Sequence, residues 1–95
     1  MTYRVTFAPE ARADFRALPA HIRAEVEDAI DRHLVRQPLQ TSRSRIKRLR
    51  GTRKPQFRLR VGEIRVFYDV AADEVQVLAM VRKSQAADWL RRAGA

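Results

Sequence analysis

Residues 57–70, with the sequence FRLRVGEIRVFYDV, contain two runs of alternating apolar residues on either side of the dipeptide Gly62-Glu63. This pattern predicts two antiparallel strands joined by a two-residue loop, and glycine at the first loop position suits a type II′ turn. Because loop length sets the register, we expect Arg60 to lie opposite Arg65 and Phe57 opposite Tyr68. The pairing of the two strands is thus predicted residue by residue.

The alternation places the apolar residues of this hairpin on one face and Arg58, Arg60, Arg65 and Phe67 on the other. Two arginines directly opposite each other cost a few tenths of a kcal/mol to about 1 kcal/mol, and the nearest acid, Glu63, lies in the turn. A bound phosphate would offset this cost, because guanidinium groups match phosphate oxygens. The sequence leaves two interpretations open: an anion site, or a solvated face whose arginines only add solubility.

The remaining periodic segments predict one small domain spanning residues 1–95. The segment TYRVTF alternates as a strand, a short helix opens at Ala8-Pro9-Glu10 and ends near Pro19, and a second helix is expected over residues 20–36. A third long strand follows over residues 74–81, and a last helix over residues 84–92. The order β-αα-βββ-α predicts an α+β fold: a small antiparallel sheet covered on one face by the N-terminal helical hairpin.

The charge balance indicates a polyanionic partner. Twenty Lys and Arg against eleven Asp and Glu give a formal net charge of +9, which attracts nucleic acid, an acidic protein or an anionic membrane. No apolar run is long enough to cross a membrane and no signal peptide opens the chain, so we expect a cytoplasmic location without membrane attachment. The chain has no cysteine, and its two histidines and scattered carboxylates form no metal-ligand spacing, so neither a metal nor another cofactor is expected.

Residues 43–54, RSRIKRLRGTRK, form a basic segment with seven Lys and Arg around Ile46 and Leu49. The two apolar residues are expected to anchor the segment to the core. Its charges either belong to a solvated connection or attract nucleic acid independently of sequence, and the absence of any acid favours the second interpretation. The candidate phosphate- or RNA-binding residues in this segment are Lys47, Arg48, Arg50, Arg53 and Lys54.

Several stretches together resemble the RelE/ParE superfamily of type II toxin–antitoxin toxins. They are YRVTFAPEARADFRALP at the start, IKRLRG before the sheet, and FRLRVGEIRVFYDV followed by DEVQVLAMVRK. The resemblance covers most of the chain in the family's order, and it implies a cognate antitoxin protein as a partner.

Two activities are implied by this resemblance. RelE-like toxins cleave messenger RNA in the ribosomal A site without metal, whereas ParE-like toxins act on DNA gyrase by protein contact. For a metal-independent endoribonuclease, the resemblance places catalytic roles at Arg60, Arg65 and Arg82, with Arg58 and Lys83 binding phosphate. A relative without activity that only binds its antitoxin is the third possibility.

The C-terminal segment departs from the RelE pattern, which has a Tyr or His as proton donor or acceptor. Here the segment reads SQAADWLRRAGA, and its Trp89 cannot exchange a proton at neutral pH. Glu63 is the only acid beside the arginines and is a candidate base. Trp89 and Phe67 are candidates for stacking on an RNA base, although Trp89 is more typical of a helix anchor in the core. The departure predicts a weak or altered nuclease.

Overall fold

The computed structural model describes residues 1–93. Within these residues a five-stranded sheet packs against three α-helices, which confirms the predicted α+β class and the order of its main elements. The strands are β1 (Arg4–Phe7), β2 (Ile46–Arg48), β3 (Phe57–Val61), β4 (Ile64–Ala71) and β5 (Glu74–Arg82); the α-helices are α1 (Pro9–Ala17), α2 (Ala20–Ala29) and α3 (Ala86–Ala93). A π-helical turn (Ile30–Leu34) extends α2, and a 3-10 turn (Lys83–Gln85) precedes α3.

The sheet is mixed rather than wholly antiparallel as predicted. Its strand order is β1-β5-β4-β3-β2, and β1 pairs in parallel with β5, with Val5 opposite Val75. The parallel pair forms because the helical hairpin carries the chain away from β1, and β5 returns beside β1 only after the three further strands β2, β3 and β4. A second difference is β2, a three-residue edge strand inside the basic segment, where no strand was predicted.

The β3–β4 hairpin has the predicted register, with Arg60 opposite Arg65 and Phe57 opposite Tyr68. Gly62 adopts φ 56°, a left-handed conformation that glycine tolerates without steric cost. Among residues 1–93, Ala72 is the only non-glycine residue with positive φ, so Glu63 has a negative one. This combination agrees with the predicted type II′ turn.

The helical hairpin covers one face of the sheet, as predicted. Ala11, Val26 and Leu34 of the helical region are fully buried against sheet residues such as Leu59 and Val66. The predicted second helix changes form near its end, because the amide of Val35 donates to the carbonyl of Ile30 at 3.1 Å, a π-helical spacing. Within the main core, the hydroxyl of Tyr68 donates to the carbonyl of Pro38 at 2.7 Å.

The opposite face of the sheet carries a smaller hydrophobic cluster. Phe67, Ala79 and Trp89 are buried there, and half-buried Leu49 and Leu90 pack against them. The rings of Phe67 and Trp89 stack with a centroid distance of 4.8 Å and an interplanar angle of 9°. The helix α3 therefore covers part of the face that the sequence predicted to be open.

Candidate nucleic-acid interface

Three arginines lie on the sheet face opposite the helical hairpin, and we call Arg58, Arg60 and Arg65 the arginine face. The β3–β4 register sets Arg60 opposite Arg65, and strand alternation places Arg58 two residues away on the same face. Lys47 of β2 lies opposite Arg58 and so shares this face. Positive charge therefore extends across three neighbouring strands.

Arg65 is buried, with 6% of its surface exposed. Its Nη1 donates to the carbonyls of Gly62 at 2.8 Å and Ile64 at 3.1 Å, which turns the guanidinium back over the hairpin turn. Burial lowers the pKa of Arg65 below its ordinary value, Arg60 lowers it further, and Glu63 raises it. Neutral carbonyls thus hold a desolvated cation, and a neutral oxygen compensates a buried positive charge less well than a carboxylate or phosphate oxygen does.

Arg58 is half-buried, and its Nε has no hydrogen-bond partner although it is shielded from solvent. Burial lowers the pKa of Arg58 below its ordinary value, and the charges of Arg65 and Arg60 lower it further. An unpaired buried donor costs about 1–3 kcal/mol. The arrangement is therefore energetically unfavourable in the isolated chain.

No carboxylate in the described part of the chain forms an ion pair with the arginine face. The ion pairs found among residues 1–93 lie elsewhere and join Arg4 to Asp73, Arg32 to Asp28, Lys54 to Asp69, and Arg91 to Asp88. Glu63 is exposed in the turn, and its carbonyl accepts the amide of Lys83 at 2.8 Å. The missing counter-charge is one that an external anion can supply.

The prediction for Arg82 needs correction, because a β-bulge reverses the faces along β5. Phe67 pairs with Ala79 but Tyr68 pairs with Val77, so Leu78 is an extra residue in β5. Beyond the bulge, Arg82 pairs with the core residue Ile64, so the side chain of Arg82 leaves the strand on the helix-covered face. Lys83 follows Arg82 and lies at the turn end of the β3–β4 hairpin, where its backbone amide donates a hydrogen bond to the Glu63 carbonyl.

The predicted stacking role of Phe67 is wrong. Phe67 is fully buried and one face of its ring is covered by Trp89. Trp89 is 8% exposed, and its Nε1–H donates to Oε2 of Glu10 at 2.7 Å. Both rings are already engaged within the protein, and Trp89 anchors α3 rather than presenting an open platform to a base.

The basic segment divides between two surfaces. Ile46 is buried in the main core and Leu49 packs on the smaller cluster, so both anchor the segment as predicted. Arg48 pairs with Phe57 on the helix-covered side, and its guanidinium carbon lies 5.1 Å from that ring's centroid. Of the predicted phosphate-binding residues in this segment, β2 brings Lys47 to the arginine face and turns Arg48 away from it.

The other basic residues of the segment lie beyond β2. Arg50 and Arg53 are exposed in the connection to β3. Lys54 is also exposed, and its Nζ lies 3.8 Å from Oδ2 of Asp69. The amide of Gln56 donates to Oδ1 of the same carboxylate at 2.7 Å. Asp69 thus holds the end of this connection through the backbone of Gln56. Its ion pair with Lys54 is partly exposed to solvent.

Arg45 is a residue that the sequence analysis did not single out. The amide of Arg60 donates to the Arg45 carbonyl at 2.8 Å, and Nη1 of Arg45 donates to the Arg60 carbonyl at 3.2 Å. Together with Ser44 and Gly62, the two arginines line a cleft of about 290 Å³. The available signal was the alternate-residue spacing of Arg45 and Lys47, which matches that of Arg58 and Arg60 on β3. It was missed because β2 was not predicted.

The described residues 1–93 contain neither a group of three or more metal-ligating side chains of the His, Cys, Asp and Glu types nor a helix long and apolar enough to cross a membrane. The arginine face itself offers positive charge and hydrogen-bond donors. Arginine keeps its proton at any physiological pH, so these residues can bind and orient a phosphate but make poor general bases.

These features define a small basic α+β protein with an uncompensated arginine cluster on its sheet. The family model described as the ParE toxin of the type II toxin–antitoxin system parDE matches residues 5–87. The chain therefore belongs to the ParE toxin family, within the RelE/ParE superfamily that the sequence resembles. No curated protein sequence matches the chain.

Solved structures of related toxins have the same fold. The RelBE2 toxin–antitoxin complex from Mycobacterium tuberculosis contains a chain with 30% identity and a TM-score of 0.74, matched over 86% of this chain and 99% of that one. The archaeal RelE–RelB complex from Pyrococcus horikoshii gives 24% identity and a TM-score of 0.72, over 90% and 99%. A doubly substituted Escherichia coli toxin RelE in the free state gives 20% and 0.72, over 99% and 95%.

Proposed function

We propose that this toxin inhibits translation by binding, and slowly cleaving, messenger RNA on the ribosome through its arginine face. The observation that carries the proposal is the cluster itself: Arg65 is buried without a carboxylate, and Arg58 holds a shielded Nε without a partner. Proteins retain such unfavourable arrangements where a ligand completes them. A phosphodiester supplies the missing negative charge, and its oxygens accept hydrogen bonds from the donors that the guanidinium groups expose.

The proposed reaction needs no metal. The 2′-hydroxyl of one nucleotide attacks the adjacent phosphorus, the bond from phosphorus to the 5′-oxygen breaks, and a 2′,3′-cyclic phosphate and a 5′-hydroxyl remain. Negative charge grows on the non-bridging oxygens in the transition state, where Arg58, Arg60 and Arg65 donate to it. The proton lost by the 2′-hydroxyl passes to Glu63 or water, and the leaving oxygen takes a proton from water.

The rate of this reaction is expected to be low. General acid–base catalysis contributes typically about 10²–10⁴-fold, and the described part of α3 offers no Tyr or His for that role. Glu63 is exposed in a turn, so nothing holds its carboxylate in a fixed position. Charge stabilisation by the arginines is then the main catalytic contribution, and binding to the ribosome can inhibit translation even where cleavage is slow.

A cognate antitoxin is the proposed protein partner. Solved relatives of this fold include toxin–antitoxin complexes from Mycobacterium tuberculosis and Pyrococcus horikoshii. The formal net charge of +9 favours an antitoxin segment rich in acidic residues, which would neutralise the basic surface and exclude RNA from it. Both the ribosome and such an antitoxin would be met in the cytoplasm.

Inhibition of DNA gyrase is the second candidate function. It is favoured by the match of residues 5–87 to the ParE family model and by the lack of a proton-transfer residue in the described part of α3. On this alternative the arginine face would serve protein or antitoxin contacts and would break no bond.

Expression of the toxin alone, with mapping of transcript 5′ ends, distinguishes the two candidates. We expect growth arrest with cuts in translated messages, and loss of these cuts in an Arg60→Ala/Arg65→Ala variant. An Arg60→Ala single variant leaves the buried Arg65 in place and should also lose the cuts, which separates loss of activity from loss of folding. Arg12→Ala on α1 controls for net charge and should keep the cuts. Arrest with intact transcripts and damaged DNA would instead support the gyrase candidate, and unimpaired growth would contradict both.

A further inference from the structure

Arg45 lies between two clefts at the edge of the sheet. On one side it lines the 290 Å³ cleft with Ser44, Arg60 and Gly62. On the other side it lines a second cleft of about 230 Å³, which we call the polar cleft. The residues of the polar cleft are His33, Gln37, Gln40, Thr41, Ser42, Arg45 and Ile46. A single chain that occupies the arginine face can therefore continue past Arg45 into the polar cleft.

The path from the arginine face to Arg45 carries continuous positive charge. Arg45 immediately precedes β2 and lies beside Arg60, whose amide donates to the Arg45 carbonyl, and Arg60 in turn lies opposite Arg65 on β4. Neighbouring chains at this spacing are about 4.8 Å apart. Within residues 1–93 the guanidinium of Arg45 donates only to the Arg60 carbonyl, and Arg45 is exposed, so the remaining guanidinium donors are free for an anion. The three arginines can therefore contact more than one phosphate of the same RNA strand.

The polar cleft has the chemistry of a nucleobase site rather than a second phosphate site. Gln37 and Gln40 carry amides that both donate and accept, Thr41 adds a hydroxyl, and buried Ile46 supplies an apolar wall. None of the side chains of Gln37, Gln40 and Thr41 makes a hydrogen bond to another residue within 1–93. These groups are available to the polar edge of a base while the wall contacts its face.

His33 contributes a neutral ring to the polar cleft. It lies in the π-helical turn, a local irregularity that is frequent at functional sites. Burial lowers the pKa of His33, and the charges of Arg45 and Arg32 lower it further while Asp28 acts against them. At neutral pH the imidazole therefore offers one donor and one acceptor.

From this juxtaposition we propose that Arg45 and the polar cleft form a nucleotide subsite for single-stranded RNA, next to the phosphate held by the arginine face. Arg45 binds the phosphate of the neighbouring nucleotide, and the polar cleft accepts its base through Gln40 and Thr41. The subsite makes the toxin selective for the base at that position. The proposal rests on the proposed function, because it extends the same RNA path.

Fluorescence anisotropy with labelled RNA hexamers of A, C and U tests the proposal on the full chain. We expect Arg45→Gln to weaken binding of every hexamer about tenfold, the effect of losing a charged hydrogen bond. It should also reduce the slope of log K against log salt concentration by about 0.7, the contribution of one phosphate contact on a single strand. Arg12→Gln on α1 makes the same change of charge and should leave both quantities near those of the wild type.

A Gln40→Ala/Thr41→Ala variant tests base recognition separately. We expect the wild type to bind its preferred hexamer at least about tenfold more tightly than the weakest, within the range of hydrogen-bonded base readout, and the variant to bind all three within about twofold. Gln76→Ala/Thr2→Ala, at exposed positions outside the cleft, is the matched control. Thermal unfolding of each variant establishes that the fold is intact.

The outcomes separate this inference from the proposed function. If Arg60→Ala loses RNA binding while Arg45→Gln and the cleft variant bind as the wild type does, the subsite is overturned and the proposed function stands. If Arg45→Gln loses binding but Arg60→Ala does not, the subsite stands and the role of the arginine face fails. If the wild-type toxin binds all three hexamers with equal affinity, base recognition in the polar cleft is overturned.

Discussion

Replacing Arg58 with methionine should stabilise the free toxin. Methionine keeps the long apolar stem of the side chain but removes the charge and the shielded Nε, which has no partner. Relief of the unpaired donor is worth about 1–3 kcal/mol, and relief of repulsion from Arg60 and Arg65 up to about 1 kcal/mol. Since Arg58 is only half-buried, we expect a net gain of about 1–2 kcal/mol in the free energy of unfolding. For a chain of this size the gain corresponds to about 5–10 °C in Tm.

Thermal unfolding followed by circular dichroism at low ionic strength measures this gain. Added sodium chloride should narrow the difference between Arg58→Met and the wild type, because salt screens the repulsion among exposed and partly exposed charges. Inorganic phosphate at constant ionic strength should raise the Tm of the wild type more than that of the variant, because a ligand stabilises only the state that binds it. Arg12→Met, at an exposed position of α1, provides the control for loss of one charge.

Two results would refute the reasoning. If Arg58→Met melts at or below the wild-type temperature in low salt, the cluster is not strained in the free protein. If phosphate raises both melting temperatures equally, Arg58 does not contribute to an anion site. Either result would remove the energetic argument for a ligand at the arginine face.

Three further predictions concern contacts that hold the sheet and its helices together. Oδ2 of Asp14 accepts the amide of Met80 at 2.9 Å, so Asp14→Ala should cost about 1–3 kcal/mol in urea unfolding, while Asp14→Asn keeps an acceptor. Burial raises the pKa of Asp14 above its ordinary value of 3.8, because the fold disfavours the charged carboxylate. The wild type therefore loses stability as pH rises from 3.8 through the raised pKa, whereas Asp14→Asn does not. The stability of Asp14→Asn relative to the wild type should increase over this pH range and stay constant below 3.8. Trp89→Ala should uncover Phe67 and cost about 3–5 kcal/mol in thermal unfolding; a loss under 1 kcal/mol would contradict the anchoring of α3. Burial raises the pKa of Tyr68, so absorbance titration should show this phenol ionising only with unfolding, and Tyr68→Phe should remove that late step.

The hairpin was predictable because its information is local. A two-residue loop starting with Gly62 and strict alternation on both sides leave one register that buries the apolar residues, and the observed pairs match it. The covering of one face by the helical hairpin follows from the apolar stripes of α1 and α2 in the same way. These parts of the fold depend on neighbours within a few residues along the chain.

The missed features depend on contacts far apart in sequence or on a single extra residue. The parallel pairing of β1 with β5 joins Val5 to Val75, and no local pattern specifies it. The bulge at Leu78 shifts the alternation of β5 by one residue and so moves Arg82 to the other face. The strand β2 has only three residues and gains its order from pairing with β3, which is why the position of Arg45 beside Arg60 was not foreseen.

The most direct test of the central claim uses purified ribosomes programmed with a defined messenger RNA. The wild-type toxin should cut the message within the A-site codon, without added cofactor beyond the ribosome's own ions, and leave a 2′,3′-cyclic phosphate on the upstream fragment. Arg60→Ala, with a Tm near that of the wild type, should reduce cutting by at least about 10²-fold, the effect typical of losing a group that stabilises transition-state charge. Intact message on ribosomes saturated with the wild-type toxin, or equal cutting by Arg60→Ala, would contradict the role proposed for the arginine face.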